Sequence, residues 1–196
     1  MNQTSNDWLL IDKFQKGDLS AFHELFNRHK THVINLSYRF VQNRETAEDV
    51  AQEVFIKIYE KKVNFDPKAK FTTWLYRVTV NASIDRTRKK GFLDKSLNEA
   101  LADGGGETIT LQEEISDPKA VSPKEVLYKE ELRTLIQAEI QKLPENLRAV
   151  ILLYQFEEMP YREIAQVLGI SEKAVERRIY HAKELLRKNL EKELKS

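Results

Sequence analysis

Between positions 171 and 183 the chain gathers Ser171, Lys173, Arg177, Arg178, His181 and Lys183, with Ala174, Val175, Ile179 and Ala182 among them. The apolar members recur at steps of three and four, which buries one face of a helix and leaves the basic and hydroxyl groups on the others. Such donors suit the major groove of duplex DNA: Arg bridges two acceptors on a guanine edge, and Lys holds a phosphate as a point charge. A solvated charged helix on a bundle carries the same pattern, and this stretch alone leaves both readings open.

The elements that position these groups are legible nearby. Residues 161–168 form a short amphipathic segment, Gly169 offers a left-handed stop, and Ser171 caps whatever follows. The whole stretch, residues 160–183, has the outline of a helix-turn-helix.

A second polar set lies upstream. In residues 71–89, Phe71, Trp74, Leu75, Val78 and Ala82 keep core spacing, while Arg77, Asn81, Asp85 and Arg88 form a stripe at steps of four, four and three. Asn is a poor helix former, so Asn81 calls for a separate reason, such as hydrogen bonding to an unpaired base. Lys68, Lys70, Arg86, Lys89 and Lys90 stand ready for a sugar–phosphate backbone, and Phe71 and Trp74 are either stacking surfaces or core.

Other chemistries find little support. His29 and His32 are one helical turn apart, but the chain has no Cys and places no acid at ligand spacing, so no metal or other cofactor is expected. No nucleophile elbow, phosphate loop or distinctive carboxylate pair is present, and catalysis is not expected. The formal net charge of +1 hides an uneven distribution. Residues 66–91 hold seven Lys or Arg against two Asp, residues 91–122 seven acids against two Lys, and residues 171–196 eight bases against five acids. No apolar run approaches the roughly 18 residues of a membrane span, and the first residues lack the basic start and apolar core of a signal peptide. The expectation is a soluble protein of the cytoplasm.

Apolar periodicity near 3.6, with 41% hydrophobic residues and few Gly or Pro, predicts an all-α protein. Helices are expected over residues 6–16 capped by Ser5, 19–40, 44–62 capped by Asn43, and 71–89 ending before Gly91. Residues 103–107, DGGGE, cannot be helix interior and mark an acidic flexible linker. Order restarts at Ser122-Pro123-Lys124-Glu125, a capping box with Pro in the first turn. The organisation is therefore two small helical domains joined by a linker: residues 1–91, 92–121 and 122–196, the last containing the helix-turn-helix.

These residues resemble, as a set, the bacterial RNA polymerase sigma factors of the extracytoplasmic-function group. The matching stretches are AFHELFNRHK (21–30), AEDVAQEVFIKIYE (47–60), FTTWLYRVTVNASIDRTRKK (71–90), LPENLRAVILLYQFEEMPYREIA (143–165) and the helix-turn-helix. They occur in family order over nearly the whole chain outside the linker and tail. The resemblance implies that Asp49, Gln52, Glu53, Phe55 and Ile56 dock on the clamp helices of the largest polymerase subunit. It implies that Lys68, Lys70, Phe71, Trp74, Arg77, Asn81, Arg86, Arg88 and Lys89 open and hold the minus-10 promoter element. It assigns the minus-35 duplex to Ser171, Lys173, Glu176, Arg177, Arg178, Tyr180, His181 and Lys183. Core RNA polymerase, promoter DNA and an anti-sigma factor are the implied partners, with no membrane insertion. Glu176 departs from the basic or small polar residue frequent there, and His181 from the frequent Arg; an acid repels phosphate but accepts a hydrogen bond from cytosine N4.

Two rivals predict different behaviour. A stand-alone helix-turn-helix regulator binds duplex tightly without polymerase and leaves the Arg77–Asn81 stripe unexplained. A helical interaction protein binds no nucleic acid. For a sigma factor, polymerase binding is expected to separate two domains that are compact, and poor at DNA binding, in the free chain.

Overall fold

A computed structural model of the chain describes residues 3–61, 70–98 and 123–193. Among these residues eight helices follow in order: α1 (Gln3–Gln15), α2 (Leu19–Val41), α3 (Arg44–Lys61), α4 (Phe71–Asn98), α5 (Pro123–Lys142), α6 (Glu145–Gln155), α7 (Tyr161–Leu168) and α8 (Glu172–Glu193). Among the described residues there is no strand. None of their helices is long and apolar enough to cross a membrane.

Local chemistry sets most boundaries. Asp18 accepts from the backbone N–H groups of Ser20 and Ala21 and starts α2, while Asn43 accepts from Thr46 N at 2.8 Å and starts α3. α1 begins at Gln3, ahead of the expected cap at Ser5. α4 passes through Gly91 and continues to Asn98, beyond the expected stop. A single helical Gly costs only about 1 kcal/mol, a penalty that a helix continued by good formers such as Leu93 and Lys95 can absorb. The expected linker therefore begins inside a helix, and its remainder, with the capping Ser122, lies outside the described residues.

The first unit packs α2 against α1, α3 and α4, around Leu25, Val33, Val54, Ile58, Phe71 and Leu75. Leu9 of α1 is 52% exposed. Asp7 is almost fully buried, with Arg28 Nη1 at 2.6 Å and His29 Nε2 at 3.1 Å. Burial works against its charge, but the bonds from His29 and Arg28 prevail and hold its pKa below the usual carboxylate value. His29 is thus the partner of a buried acid.

The second unit lays α8 across α5, α6 and α7, over Leu147, Val150, Leu153, Ile164, Val175 and Ile179. Its core does not end at the domain boundary. Leu36 and Phe40 of α2 and Val80 of α4 belong to the same apolar cluster, and α4 packs along α7.

Candidate nucleic-acid interface

Two surfaces carry the residues singled out by sequence. The first is built on the turn between α7 and α8. Gly169 adopts φ 66°, a left-handed conformation natural to Gly, and its N–H bonds the Ala165 carbonyl. Ser171 Oγ accepts from Ala174 N at 3.2 Å and opens α8. Val175, Ile179 and Ala182 turn inward, fixing the helix by its apolar face.

The opposite face is concave, lined by Ser171, Lys173, Ala174, Glu176, Arg177 and Tyr180. Tyr180 is 69% exposed. His181 is also exposed, and Arg178 is half-buried on the flank. Lys183 lies elsewhere, its ammonium 4.7 Å from the Tyr154 ring centre, beside a cavity of about 360 Å³ that Arg39, Arg133, Ile136 and Phe156 help to line. The structure thus brings five of the eight expected minus-35 residues onto one face, with Arg178 and His181 at its edge.

The second surface is α4. Arg77, Asn81, Arg86, Arg88 and Lys89 are exposed along it, and Lys70 precedes its first turn. Trp74 is partly covered, its ring 6.2 Å from that of Phe71 at an interplanar angle of 23°. Phe71 is fully buried and meets His29 edge to face. Its ring belongs to the core and offers no face to a base, because the first position of α4 points into the α1–α3 bundle. Lys68 lies outside the described residues.

Most cations of this surface already have partners. Lys70 Nζ is 2.6 Å from Glu163, Arg77 donates to the Gln166 carbonyl, and Arg88 makes a two-pronged pair with Glu145 at 2.6 and 2.8 Å. That carboxylate raises the pKa of Arg88 above its usual value. All these partners belong to α6 and α7. Arg86 instead bonds Asp49 of α3 at 2.6 Å, which joins a candidate DNA contact to a candidate polymerase contact.

On α3, Asp49, Gln52, Glu53 and Ile56 are exposed, Ile56 at 52%. Lys57 donates to Glu53 and holds its pKa below the usual range. Phe55 is buried against Phe26, ring centres 4.7 Å apart, so it supports the acidic face from beneath.

One polar cluster was missed by sequence reasoning. Glu157, between α6 and α7, has a side chain 7% exposed and accepts from the Tyr76 hydroxyl of α4 at 2.9 Å. Its carboxylate is also 3.2 Å from His32 Nε2 and 3.9 Å from Arg39 Nε, both on α2. Arg39 stacks over Phe156, 4.3 Å from the ring centre. Burial, with the Glu157 charge, raises the Tyr76 pKa far above normal, and burial lowers that of His32. No spacing rule flags Glu157, since its partners lie more than 80 positions away.

The family model for Sigma-70 region 2 matches residues 25–92, and that for Sigma-70, region 4 matches residues 133–186. The chain is 39% identical over 180 residues to the ECF RNA polymerase sigma factor SigW of Bacillus subtilis, covering 92% of this chain and 94% of that protein. To the ECF RNA polymerase sigma-E factor of Escherichia coli K12 it is 33% identical over 187 residues, 95% of each chain. The chain belongs to the extracytoplasmic-function sigma factors of RNA polymerase. Like other sigma factors it serves promoter-specific transcription initiation. The fold is similar to that of CnrH solved with the cytosolic domain of CnrY, at TM-score 0.63 and 25% identity over 95% of this chain and 97% of that one. The sigma factor RpoE of Bartonella quintana, solved with the anti-sigma factor NepR, shares the fold at TM-score 0.63 and 15% identity, covering 87% and 96%.

Proposed function

We propose that this sigma factor divides promoter reading between its two helical units and has no catalytic activity of its own. The concave face of α8, with Ser171, Lys173, Glu176, Arg177 and Tyr180, reads the minus-35 element as duplex. Lys68, Lys70, Trp74, Arg77, Asn81, Arg86, Arg88 and Lys89 hold the melted minus-10 strand, and Phe71 supports Trp74 from the core. Asp49, Gln52, Glu53 and Ile56 dock on core polymerase.

The observation that carries this reading is the placement of two differently shaped basic surfaces on two separate units. One is a helix projecting from a tight turn, as duplex recognition requires; the other is a long helix flank with an exposed Asn and a partly covered Trp, suited to unstacked bases. The domains run over residues 1–91 and 122–196 with the acidic stretch between them, the first extended by the last turns of α4. The protein acts in the cytoplasm, where core polymerase is found. An anti-sigma factor is a further partner, in keeping with the complexes in which two similar folds were solved.

Reconstitution tests the proposal. Core polymerase with this chain starts transcription at a defined site that core alone ignores. Absence of any specific start across a fragmented genomic template overturns it.

A further inference from the structure

We infer that the cavity bounded by α5, α6, α8 and Arg39 of α2 is a binding site for a small amphipathic anion, a free alkyl carboxylate of about ten carbons. The cavity measures about 360 Å³ and shares no lining residue with the concave face of α8. It is therefore separate from the duplex-reading surface, and the inference does not depend on how promoters are read. At roughly 30 Å³ for a group the size of a water or a methylene, it holds about a dozen heavy atoms, the size of decanoate.

Its walls match the two halves of such a molecule. Ile136 of α5, Ile151 of α6 and Leu186 of α8 supply an apolar surface, and Arg39, Arg133 and Lys183 supply three cations. Among the described residues that line it there is no carboxylate. An apolar hollow alone takes any hydrocarbon, and a cluster of surface cations alone takes any phosphate. Both around one cavity select an anion that carries a hydrocarbon tail, because a neutral chain leaves the cations unused and a bare anion leaves the apolar walls wet.

The cations are positioned by rings. Arg39 stacks over Phe156 at 4.3 Å from the ring centre, and the Lys183 ammonium lies 4.7 Å from that of Tyr154. A ring holds a cation without neutralising it. Glu157 lies 3.9 Å from Arg39 Nε and offsets part of that charge, so the exposed Arg133 and Lys183 contribute most of the attraction. Lys183, expected on the DNA face and found away from it, thereby acquires a use of its own.

Calorimetry on the full chain tests this with sodium decanoate, below its micelle concentration, as the probe. Decanoate binds at one per chain, whereas decanol and decyltrimethylammonium bind at least about tenfold more weakly, the loss expected without a charge-assisted head group contact. Arg133→Glu with Lys183→Glu weakens decanoate binding by about tenfold or more at an unchanged melting temperature, since both side chains are exposed. Lys188→Glu with Lys192→Glu makes the same change in net charge away from the cavity lining and leaves binding as it was. Gln155→Trp fills the cavity from an exposed wall position and abolishes binding. Phosphatidylglycerol vesicles, which offer anionic head groups but no free alkyl carboxylate, are not bound. Absence of decanoate binding, equal affinity for the three probes, or binding to vesicles alone overturns the inference. So do equal losses in the two charge-reversed pairs and undiminished binding in Gln155→Trp.

Discussion

Replacing Arg177 with Ala is the sharpest test of how α8 reads DNA. Lys173 to Tyr180 spans about 10 Å along the helix, so the exposed face covers about three base pairs in a groove about 12 Å wide. Arg177 lies on that face with Lys173, Glu176 and Tyr180, Arg178 is half-buried at its flank, and Lys183 lies against Tyr154 away from it. A two-pronged Arg–guanine contact contributes about 1–3 kcal/mol, so Arg177→Ala lowers promoter use by about fivefold to 150-fold. Arg178→Ala costs less, and Lys183→Ala leaves promoter use within about twofold, since a single displaced phosphate contact is worth little at moderate salt. Arg177→Lys restores the charge without the fork and recovers only part of the loss. Run-off transcription with core polymerase, from a start mapped after overexpression, measures all four. Equal losses at the three positions, or none at Arg177, refutes the assignment of the concave face.

Three further outcomes follow from local geometry. Gly169→Ala lowers stability to urea by about 1–2 kcal/mol although no atom obstructs the new methyl group, because the cost is the left-handed φ itself; Gly169→Asn costs less. Asp7→Asn destabilises by about 3 kcal/mol at neutral pH by breaking a buried pair. With the folded pKa of Asp7 depressed, its contribution is complete above the unfolded value near 4 and is lost as pH falls through the folded one, so variant and unsubstituted melting temperatures converge in acid. Asp49→Ala changes stability by less than about 1 kcal/mol, since its pair with Arg86 is exposed, yet weakens binding to core polymerase measured by fluorescence anisotropy.

Sequence chemistry located the features that are decided locally. Gly169, Ser171 and Asn43 act within a few residues of themselves, and their turns and caps formed where the residue types pointed. Periodicity also placed Val175, Ile179 and Ala182 inward. It also put Phe71 at core spacing, where the structure buries it; the resemblance, not periodicity, offered Phe55 and Phe71 as contact residues, and both are covered by the neighbouring helices of the first unit. Gly91 misled because a local penalty of about 1 kcal/mol was treated as a stop. Lys183 carries the same charge as Arg177 but sits six positions on, more than a full turn and a half around the helix, and tertiary packing beside Tyr154 sets its surroundings.

The formal net charge of +1 now has a structural reason. A protein built only to hold DNA gains from surplus positive charge, yet here Glu145, Glu157 and Glu163 of the second unit stand opposite Arg88, Tyr76 and Lys70 of the first. Each of those acids weakens attraction to phosphate when the chain is open and engages α4 when it is closed. In the proposed docking through Asp49, Gln52, Glu53 and Ile56, the Arg86–Asp49 pair joins the docking face to the α4 stripe, whereas Lys70, Arg77 and Arg88 are engaged by α6 and α7 instead.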